Sequence, residues 1–480
     1  MRSTMLEASL GQIAETLGGV LPNDEEGAAG AVSHRERFSR RVRGVTIDSR
    51  GDVAGRLFVG LPGQQVDGAA FAEAALARGA AAALVGPGGL VHPAVLRVPD
   101  PLAALARLAG WWRSQLAARV IAVTGSVGKT TTRQMLACML AEAGATQQSP
   151  GNFNNALGVP LTLLATDRKT RWLVVEIGTS GPGEIAPLAR LAAPDLALLT
   201  AAGPSHLEGL GTLAAVAQEK LSLAEVAPRS LLARDNWRQP LVARGAIETV
   251  GREGCDHRVQ PAGVWAKPSS AKKEPLPRRA VRVGSLRVPG GYGEHHDSLV
   301  ALAVVAACDE GVAAADVIAG LTTWQPDAGR GRVHRRGAGL LIDESYNANP
   351  QSMLAAAELL ATAPRPRTLI AGDMVGLGDR PDDEAATRDA GDDWATRTGR
   401  ALAALPLDRV IAVGPLARRM AAASGHPFAI APDAEAAGAL AANLPGTVLV
   451  KGSRAIGLDR TVHQLLAAGG GESASASSTH

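Results

Sequence analysis

The sequence predicts an α/β protein of three domains, with parallel sheets in the second and third. Three observations lead there. At roughly 100–200 residues per domain, 480 residues make about three. Short apolar runs alternate with helical stretches and with loops holding Gly or Pro, which is the pattern of strands joined by crossover helices. The chain is 46% hydrophobic and 20% charged, enough apolar surface for real cores, so a wholly disordered chain is excluded.

The composition excludes other classes. A net charge of +3 is nearly balanced, which argues against a protein that coats nucleic acid. Cys138, Cys255 and Cys308 are far apart, so neither a disulfide framework nor a thiolate zinc site is expected and a reducing, cytoplasmic setting is. The N-terminus has no signal-peptide pattern, and no apolar stretch of about 18 residues predicts a membrane span.

The first hundred residues read as a small mixed unit. Gly44–Arg50 is strand-like, Arg56–Leu61 is a second apolar run, Ala69–Arg78 is helical and Ala81–Val85 is another strand. Leu102–Ala118 is a helix leading into the next domain. There, Val120–Val123 reads as a buried strand, Gly125–Thr130 as a turn and Thr131–Ala143 as a helix. Trp172–Val175 and Leu196–Thr200 are further strands, and Thr212–Val226 is helical. Near 262–290 the pattern breaks down, and Lys267–Arg279 reads as an exposed loop. From Gln325 a doubly wound pattern resumes, with strands at Leu340–Ile342, Thr368–Ala371, Val410–Val413 and Val448–Val450. The Gly/Ser/Ala tail 469–480 is expected to be disordered.

In open parallel sheets, ligands bind beyond the carboxyl ends of the strands. Polar residues collect at those ends: Gly125–Thr130, Glu176, His206, Asp343, Glu344, Asp373 and Lys451. Gly125-Ser126-Val127-Gly128-Lys129-Thr130, between a strand and a helix, is the strongest signal. Main-chain N–H groups at a helix start bind anionic oxygens, a lysine reaches the β/γ-phosphates, and the threonine hydroxyl can ligate Mg²⁺. The segment departs from the common phosphate-loop form, because position 123 is valine. Glu176 ends an apolar strand, where a carboxylate is costly unless paired or metal-bound. From position alone it reads equally as an edge carboxylate in water. His206 reads as a ligand or a loop histidine, and Lys220 as a solvated helix lysine. Asp343–Pro350 suits a hydrogen-bonding turn or a helix cap formed by Asn349 and Pro350. Gly329–Arg332 is a basic hinge or a phosphate contact.

At this point the chain resembles the Mur ligases, ATP-dependent amide-forming enzymes of peptidoglycan synthesis. The resemblance rests on TGSVGKTTT (Thr124–Thr132), GNFNNALGVPLTL (Gly151–Leu163), VEIGTSGPGEI (Val175–Ile185), SHLEGLG (Ser205–Gly211), DESYNANPQSM (Asp343–Met353), GDM (Gly372–Met374) and KGSR (Lys451–Arg454). Asp48–Arg50 and Leu57–Gly68 match the family's N-terminal domain, so nearly the whole chain is covered. The second and fifth segments are similar to the branch that adds D-alanyl-D-alanine to UDP-N-acetylmuramoyl-tripeptide.

The resemblance implies a UDP-substrate domain over 1–112, a central phosphate-loop ATPase domain over 113–324 and a C-terminal Rossmann-like domain over 325–468. It implies ATP and Mg²⁺ as cofactors, the UDP-tripeptide and the dipeptide as substrates, and a cytoplasmic monomer. Lys129, Lys220 and His206 would be catalytic, with Lys220 where the family carries a lysine carbamylated by CO₂. Gly125, Ser126, Val127, Gly128, Lys129, Thr130 and Thr131 would hold nucleotide, joined by Arg330, Tyr346 and Asn347. Thr130, Glu176 and His206 would hold metal, and Ser49, Arg50, Asn154 and Asn155 would face substrate. The chain departs from the family pattern at four places: Val127 replaces a polar residue, Thr179–Gly181 replaces Ala-Asn-His, Gly376 replaces Glu and Asp297 replaces Asn. Two other readings stay open: an amide ligase of the same superfamily that adds a single amino acid, and a non-catalytic nucleotide-binding regulator.

Overall fold

The structure, a computed structural model, describes residues 5–18, 38–63, 66–237, 246–265, 275–378 and 393–468. Residues 469–480 and 266–274, where a tail and most of a basic loop were expected, lie outside the described residues.

The N-terminal part contains β1 (Glu7–Ser9), α1 (Leu10–Leu17), β2 (Arg41–Arg43), β3 (Val45–Thr46), β4 (Leu57–Val59), α2 (Ala72–Ala77), β5 (Ala82–Val85), β6 (Val95–Arg97) and α3 (Pro101–Ser114). Strands β3 to β6 form a four-stranded parallel sheet, and β1 pairs antiparallel with β2. The expected strand Gly44–Arg50 shrinks to two residues. Asp48 ends it by accepting the Arg50 main-chain N–H at 3.0 Å, an Asx turn that competes with the ladder. Helix α3 begins on Asp100 as cap with Pro101 in the first turn, and it stops at Ser114 rather than Ala118.

The central part contains β7 (Arg119–Thr124), α4 (Lys129–Ala143), β8 (Thr146–Gln148), α5 (Gly158–Leu164), β9 (Trp172–Glu176), α6 (Ile185–Ala192), β10 (Leu196–Leu199), α7 (Leu207–Leu210), α8 (Leu213–Leu221), β11 (Ser230–Ala233), β12 (Ile247–Gly251), β13 (His257–Val264), β14 (Arg279–Val283), β15 (Leu286–Pro289), α9 (Asp297–Asp309) and α10 (Ala314–Thr323). The nine strands form one sheet in the order β15-β14-β13-β12-β11-β10-β7-β9-β8, parallel except at β13–β14 and β14–β15. Among its described residues, the region of broken pattern holds the end of β13 and the strands β14 and β15, while 275–278 lie outside any strand. Its strands are short and interrupted by Pro and Arg, and they extend the parallel sheet by an antiparallel hairpin at its edge. Helix α4 starts at Lys129, two residues before the expected Thr131, because Gly128 takes the left-handed cap conformation. Helix α8 spans only Leu213–Leu221 of the expected Thr212–Val226.

The C-terminal part contains β16 (Arg332–Arg336), β17 (Gly339–Glu344), α11 (Pro350–Thr362), β18 (Arg367–Gly372), α12 (Trp394–Leu402), β19 (Arg409–Val413), α13 (Pro415–Ala423), β20 (Phe428–Ala431), α14 (Ala434–Ala441), β21 (Thr447–Lys451) and α15 (Asp459–Ala468). Its sheet runs β16-β17-β21-β18-β19-β20, parallel except for β16 against β17. The four expected strands are present and each is one to three residues longer than expected. Asn349 and Ser352 form a capping box with Pro350 next to it, so the cap reading of that segment holds.

The cores differ in how they join these parts. One apolar cluster runs without a break from Leu6, Leu57, Leu96 and Trp112 into Val120, Leu163, Leu173 and Leu199. The N-terminal domain is thus packed onto one face of the central sheet through α3. A second cluster, with α4, α9 and α10, covers the other face. Two further clusters cover the C-terminal sheet, one of them taking in Tyr292 from the central part. Among the described residues no helix is long and apolar enough to cross a membrane.

Trp112 is the joint between the first two domains. It is fully buried, its indole N–H donates to Thr166 O at 3.1 Å, and the Arg168 guanidinium lies 4.6 Å from its ring centroid. Trp112→Ala should cost about 3–5 kcal/mol in urea unfolding, from the lost burial and the cavity left behind. A cost below about 1 kcal/mol would show that this joint is not tightly packed.

Candidate active site

The phosphate loop sits where β7 turns into α4, in the middle of the central sheet. Two glycines shape it. Gly125 lies at φ 152°, where a Cβ would run into the Thr200 hydroxyl, and Gly128 lies at φ 81°, where one would come within 2.6 Å of Leu299 Cδ1. Ser126 N–H donates to Ala201 O at 2.9 Å, its hydroxyl to Gly203 O at 2.9 Å, and Thr200 Oγ1 donates to Val127 O at 2.5 Å. The strand-end residues 200–203 therefore hold the loop from behind. No side chain caps α4, so its first-turn N–H groups and its dipole are free to meet an anion. Val127 takes part here through its main chain, its carbonyl accepting from Thr200.

The next layer is organised by Glu176 at the tip of β9. Its carboxylate is buried, accepting from Thr130 Oγ1 and Asn154 Nδ2 at 2.8 Å each, and its own N–H donates to Ser149 Oγ at 3.0 Å. The buried Arg133 guanidinium lies 3.5 Å away, and its Nε has no hydrogen-bond partner. The edge-carboxylate alternative is thereby removed. Lys129 Nζ donates to Gly125 O at 2.6 Å. Burial holds its ammonium below its usual pKa; Glu176 opposes this and Arg330 adds to it.

Lys220 is not on a solvated face. It is 1% exposed on α8, and burial first, then Lys129, lowers its pKa to about 7 despite Glu219 and Glu184. Glu219 is turned away, accepting Gly183 N–H at 2.7 Å and Ile185 N–H at 2.8 Å. His206 stands at the start of α7 with its ring exposed to the cleft. Partial removal from water and the nearby Lys220 and Lys129 charges hold its imidazole below the ordinary value. Thr179 and Ser180 bind Glu184 through Oγ1 at 3.1 Å and N–H at 2.7 Å, so the departure from Ala-Asn-His forms its own closed turn.

Lys129, Thr130, Glu176, Thr179, Glu184 and His206 line a cleft of about 360 Å³ whose other wall comes from the C-terminal domain, whereas Gly125 and Lys220, both expected at the site, lie behind its lining. Arg330 lies on the Tyr346 ring, 3.8 Å from its centroid. Gly329 N–H donates to Asp343 Oδ2 at 2.7 Å and Gly331 N–H to Asp343 O at 2.8 Å. Gly329–Arg332 is thus a fixed strand entry that presents Arg330 to the cleft, rather than a loose hinge. Buried Lys451 donates to Asn347 O at 2.9 Å and pairs with Glu344 at 3.2 Å.

Of the expected residues, the cleft brings together Ser126 to Thr131, Asn154, Asn155, Glu176, His206, Arg330, Tyr346 and Asn347. Asn155 doubles as a cap, accepting Gly158 N–H at 2.9 Å. Ser49 and Arg50 are elsewhere, on the exposed Asx turn of the N-terminal domain. Arg78 donates to the Ser49 carbonyl there, and to the Arg50 and Gly51 carbonyls at 3.0 and 3.1 Å. Sequence reasoning missed Arg133, Ser149, His295 and His296. Arg133 follows Lys129 by four residues on one helix, the single spacing that could have flagged it. Among the described residues no three His, Cys, Asp or Glu side chains cluster as a metal site.

Two measurements test this geometry. Glu176→Ala should destabilise the chain by about 3–5 kcal/mol, because Arg133 is left buried and unpaired. Adding Arg133→Met should recover part of that loss in urea titrations. For Lys220, the folded pKa of about 7 lies below the ordinary 10.5, so between these values the unfolded chain binds the extra proton. Its contribution to stability should rise as pH rises from 7 towards 10. In CO₂-free buffer, Lys220→Met should flatten that rise.

Residues 41–112 match the family described as "Mur ligase family, catalytic domain", and 123–248 match "Mur ligase middle domain". The chain is 34% identical over 445 residues to UDP-N-acetylmuramoyl-tripeptide--D-alanyl-D-alanine ligase of Mycobacterium tuberculosis, covering 85% of this chain and 84% of the relative. It is 32% identical over 448 residues to the Escherichia coli protein of that name, covering 88% and 93%. The crystal structure of MurF from Acinetobacter baumannii superposes with a TM-score of 0.79 at 26% identity, covering 97% of this chain and all of that one. MurF from Thermotoga maritima in complex with ADP shares the fold, with a TM-score of 0.72 over 88% of this chain and 97% of that one. The three-domain α/β architecture and the order of its motifs are those of this group, and the chain belongs to the Mur ligase family, in its MurF branch.

Proposed function

We propose that this chain uses ATP to join D-alanyl-D-alanine to UDP-N-acetylmuramoyl-tripeptide in peptidoglycan precursor synthesis. The observation that carries the proposal is the phosphate loop lying directly against the buried Thr130–Glu176–Asn154 cluster, in a chain 34% identical to ligases of that name. The reading keeps the domain division 1–112, 113–324 and 325–468, a cytoplasmic setting and a monomer.

The site fits its nucleotide and metal. No side chain occupies the first-turn N–H groups of α4, and Thr130 and Glu176 offer the hard oxygen donors that Mg²⁺ prefers. Thr130 and Glu176, with His206 beside them in the cleft, would hold the ion. When bound, Mg²⁺ would neutralise charge on the phosphates. The tripeptide carboxylate would attack the γ-phosphorus, giving an acyl phosphate and ADP. The amine of the dipeptide would then attack the acyl carbon, and phosphate would leave. Lys129 and the α4 N–H groups bind and orient the phosphates, and Arg330 closes on them from the other domain. A cleft walled by two domains excludes water that would otherwise hydrolyse the acyl phosphate. Lys220 supplies a further function in this reading. With a pKa of about 7, a large share of it is the free amine at neutral pH, the form that adds CO₂. The resulting carbamate would replace a buried cation with an anion within electrostatic reach of Lys129.

The test is phosphate release with ATP. It should require both the UDP-tripeptide and D-alanyl-D-alanine, and mass spectrometry should find the pentapeptide product. Lys129→Ala should abolish it with little change in thermal stability, since the loop is held by main-chain geometry. Exclusive use of a single amino acid would assign the chain to another ligase, and nucleotide binding without turnover would leave only a binding protein.

A further inference from the structure

His206 is placed by a small and unusual element. It sits at φ 55°, a left-handed conformation that costs a non-glycine residue about 1–2 kcal/mol. Such a residue stays put only where its surroundings over-determine it. The helix it opens, α7, has four residues, far too few to be stable alone. Its support is tertiary. Leu207 and Leu210 are buried against Val216 of α8, and Trp394 packs on the same cluster from the C-terminal domain. Trp394 also packs on the main C-terminal core, and among the described residues it alone belongs to both groups. Its own position is fixed at the start of α12. Asp393 caps that helix by accepting Thr396 N–H at 2.7 Å, and the Arg397 guanidinium lies 5.3 Å from the indole centroid. A second strand of contact crosses the same boundary, from Glu208 N–H to Gly376 O at 3.5 Å.

We propose that Trp394 is a positioning residue for His206. Docking of the C-terminal domain seats the indole on α7, and α7 in turn holds His206 in the cleft that Lys129 and Glu176 also line. Assembly of the cleft wall and placement of the histidine are then one event. The proposal draws on the ligase reading only in assigning His206 work in that cleft.

The experiment is hydrogen exchange in the full chain, without nucleotide, alongside steady-state kinetics. The reporters are the Leu210 and Gly211 amides, which donate to His206 O at 2.9 Å and to Leu207 O at 2.8 Å. Trp394→Ala should speed their exchange by about tenfold or more while the α4 amides keep their protection. It should lower kcat by about tenfold with KM for ATP within about twofold. Trp394→Phe should restore both. Leu210→Ala approaches the contact from the central side and should reproduce the exchange effect. Leu465→Ala truncates the C-terminal core on the other face of its sheet and should leave α7 exchange unchanged. Unchanged α7 exchange in Trp394→Ala would overturn the proposal. So would equal acceleration in Leu465→Ala, which would mark general loosening. Were the ligase reading wrong, turnover would be missing in every variant, and the exchange result would still decide the role of Trp394.

Discussion

A carboxylate buried at the end of a central strand is the constraint on which the site depends. Glu176 and Arg133 are 1% and 2% exposed, and taking two charges out of water costs several kcal/mol each. The chain offsets that cost with hydrogen bonds to the carboxylate. Thr130 reaches it from the first turn of α4, Asn154 from the segment after β8, and Ser149 holds the main chain at its base. Each of these contacts fixes a piece of the chain that also faces the cleft. The geometry that satisfies Glu176 is therefore the geometry that aligns the phosphate loop with the substrate segment. Arg133 remains incompletely satisfied, with Nε unpartnered, which is the local rule broken where charge must stay available.

The cleft itself is a product of two domains with unequal attachments. The N-terminal and central domains share one apolar cluster, so they move together if they move at all. The C-terminal domain has clusters of its own, one of which takes in Tyr292 from the central part, and it also meets the central domain through Gln351 over Gly203 and Trp394 over α7. Its contribution to the cleft is rigid on its own side. Asp343 clamps Gly329–Gly331, and Lys451 ties Glu344 to Asn347, so Arg330 and Tyr346 are presented as a fixed stacked pair. Closure of such a wall moves preset groups as a body rather than one side chain at a time.

What could be read in advance follows from how local each signal is. The phosphate loop was legible because strand, glycines, lysine and helix start are contiguous and the loop's function uses its main chain. Four strands of the C-terminal sheet, β17, β18, β19 and β21, were legible because strands buried on both faces are continuous apolar runs, whereas its half-exposed edge strands β16 and β20 were not read. The edge strands β13 to β15 were not, because half-exposed strands broken by Pro and Arg carry no such run. Gly44–Arg50 was over-read because the Asx turn at Asp48 outcompetes a weak ladder.

The sequence by itself determined the family, the fold class and the place of the phosphate loop, since these rest on short contiguous patterns. Tertiary structure alone decided the character of the single residues. Lys220 looked like an ordinary surface lysine and is buried with a pKa of about 7, because α8 is pressed inward by its neighbours. Glu176 could have been a solvated edge carboxylate and is instead enclosed with Arg133. His206 could have been any loop histidine, and it is held in a left-handed conformation by a tryptophan 188 positions further along the chain. Burial and charge pairing are set by which distant segments meet, and sequence spacing carries no record of that.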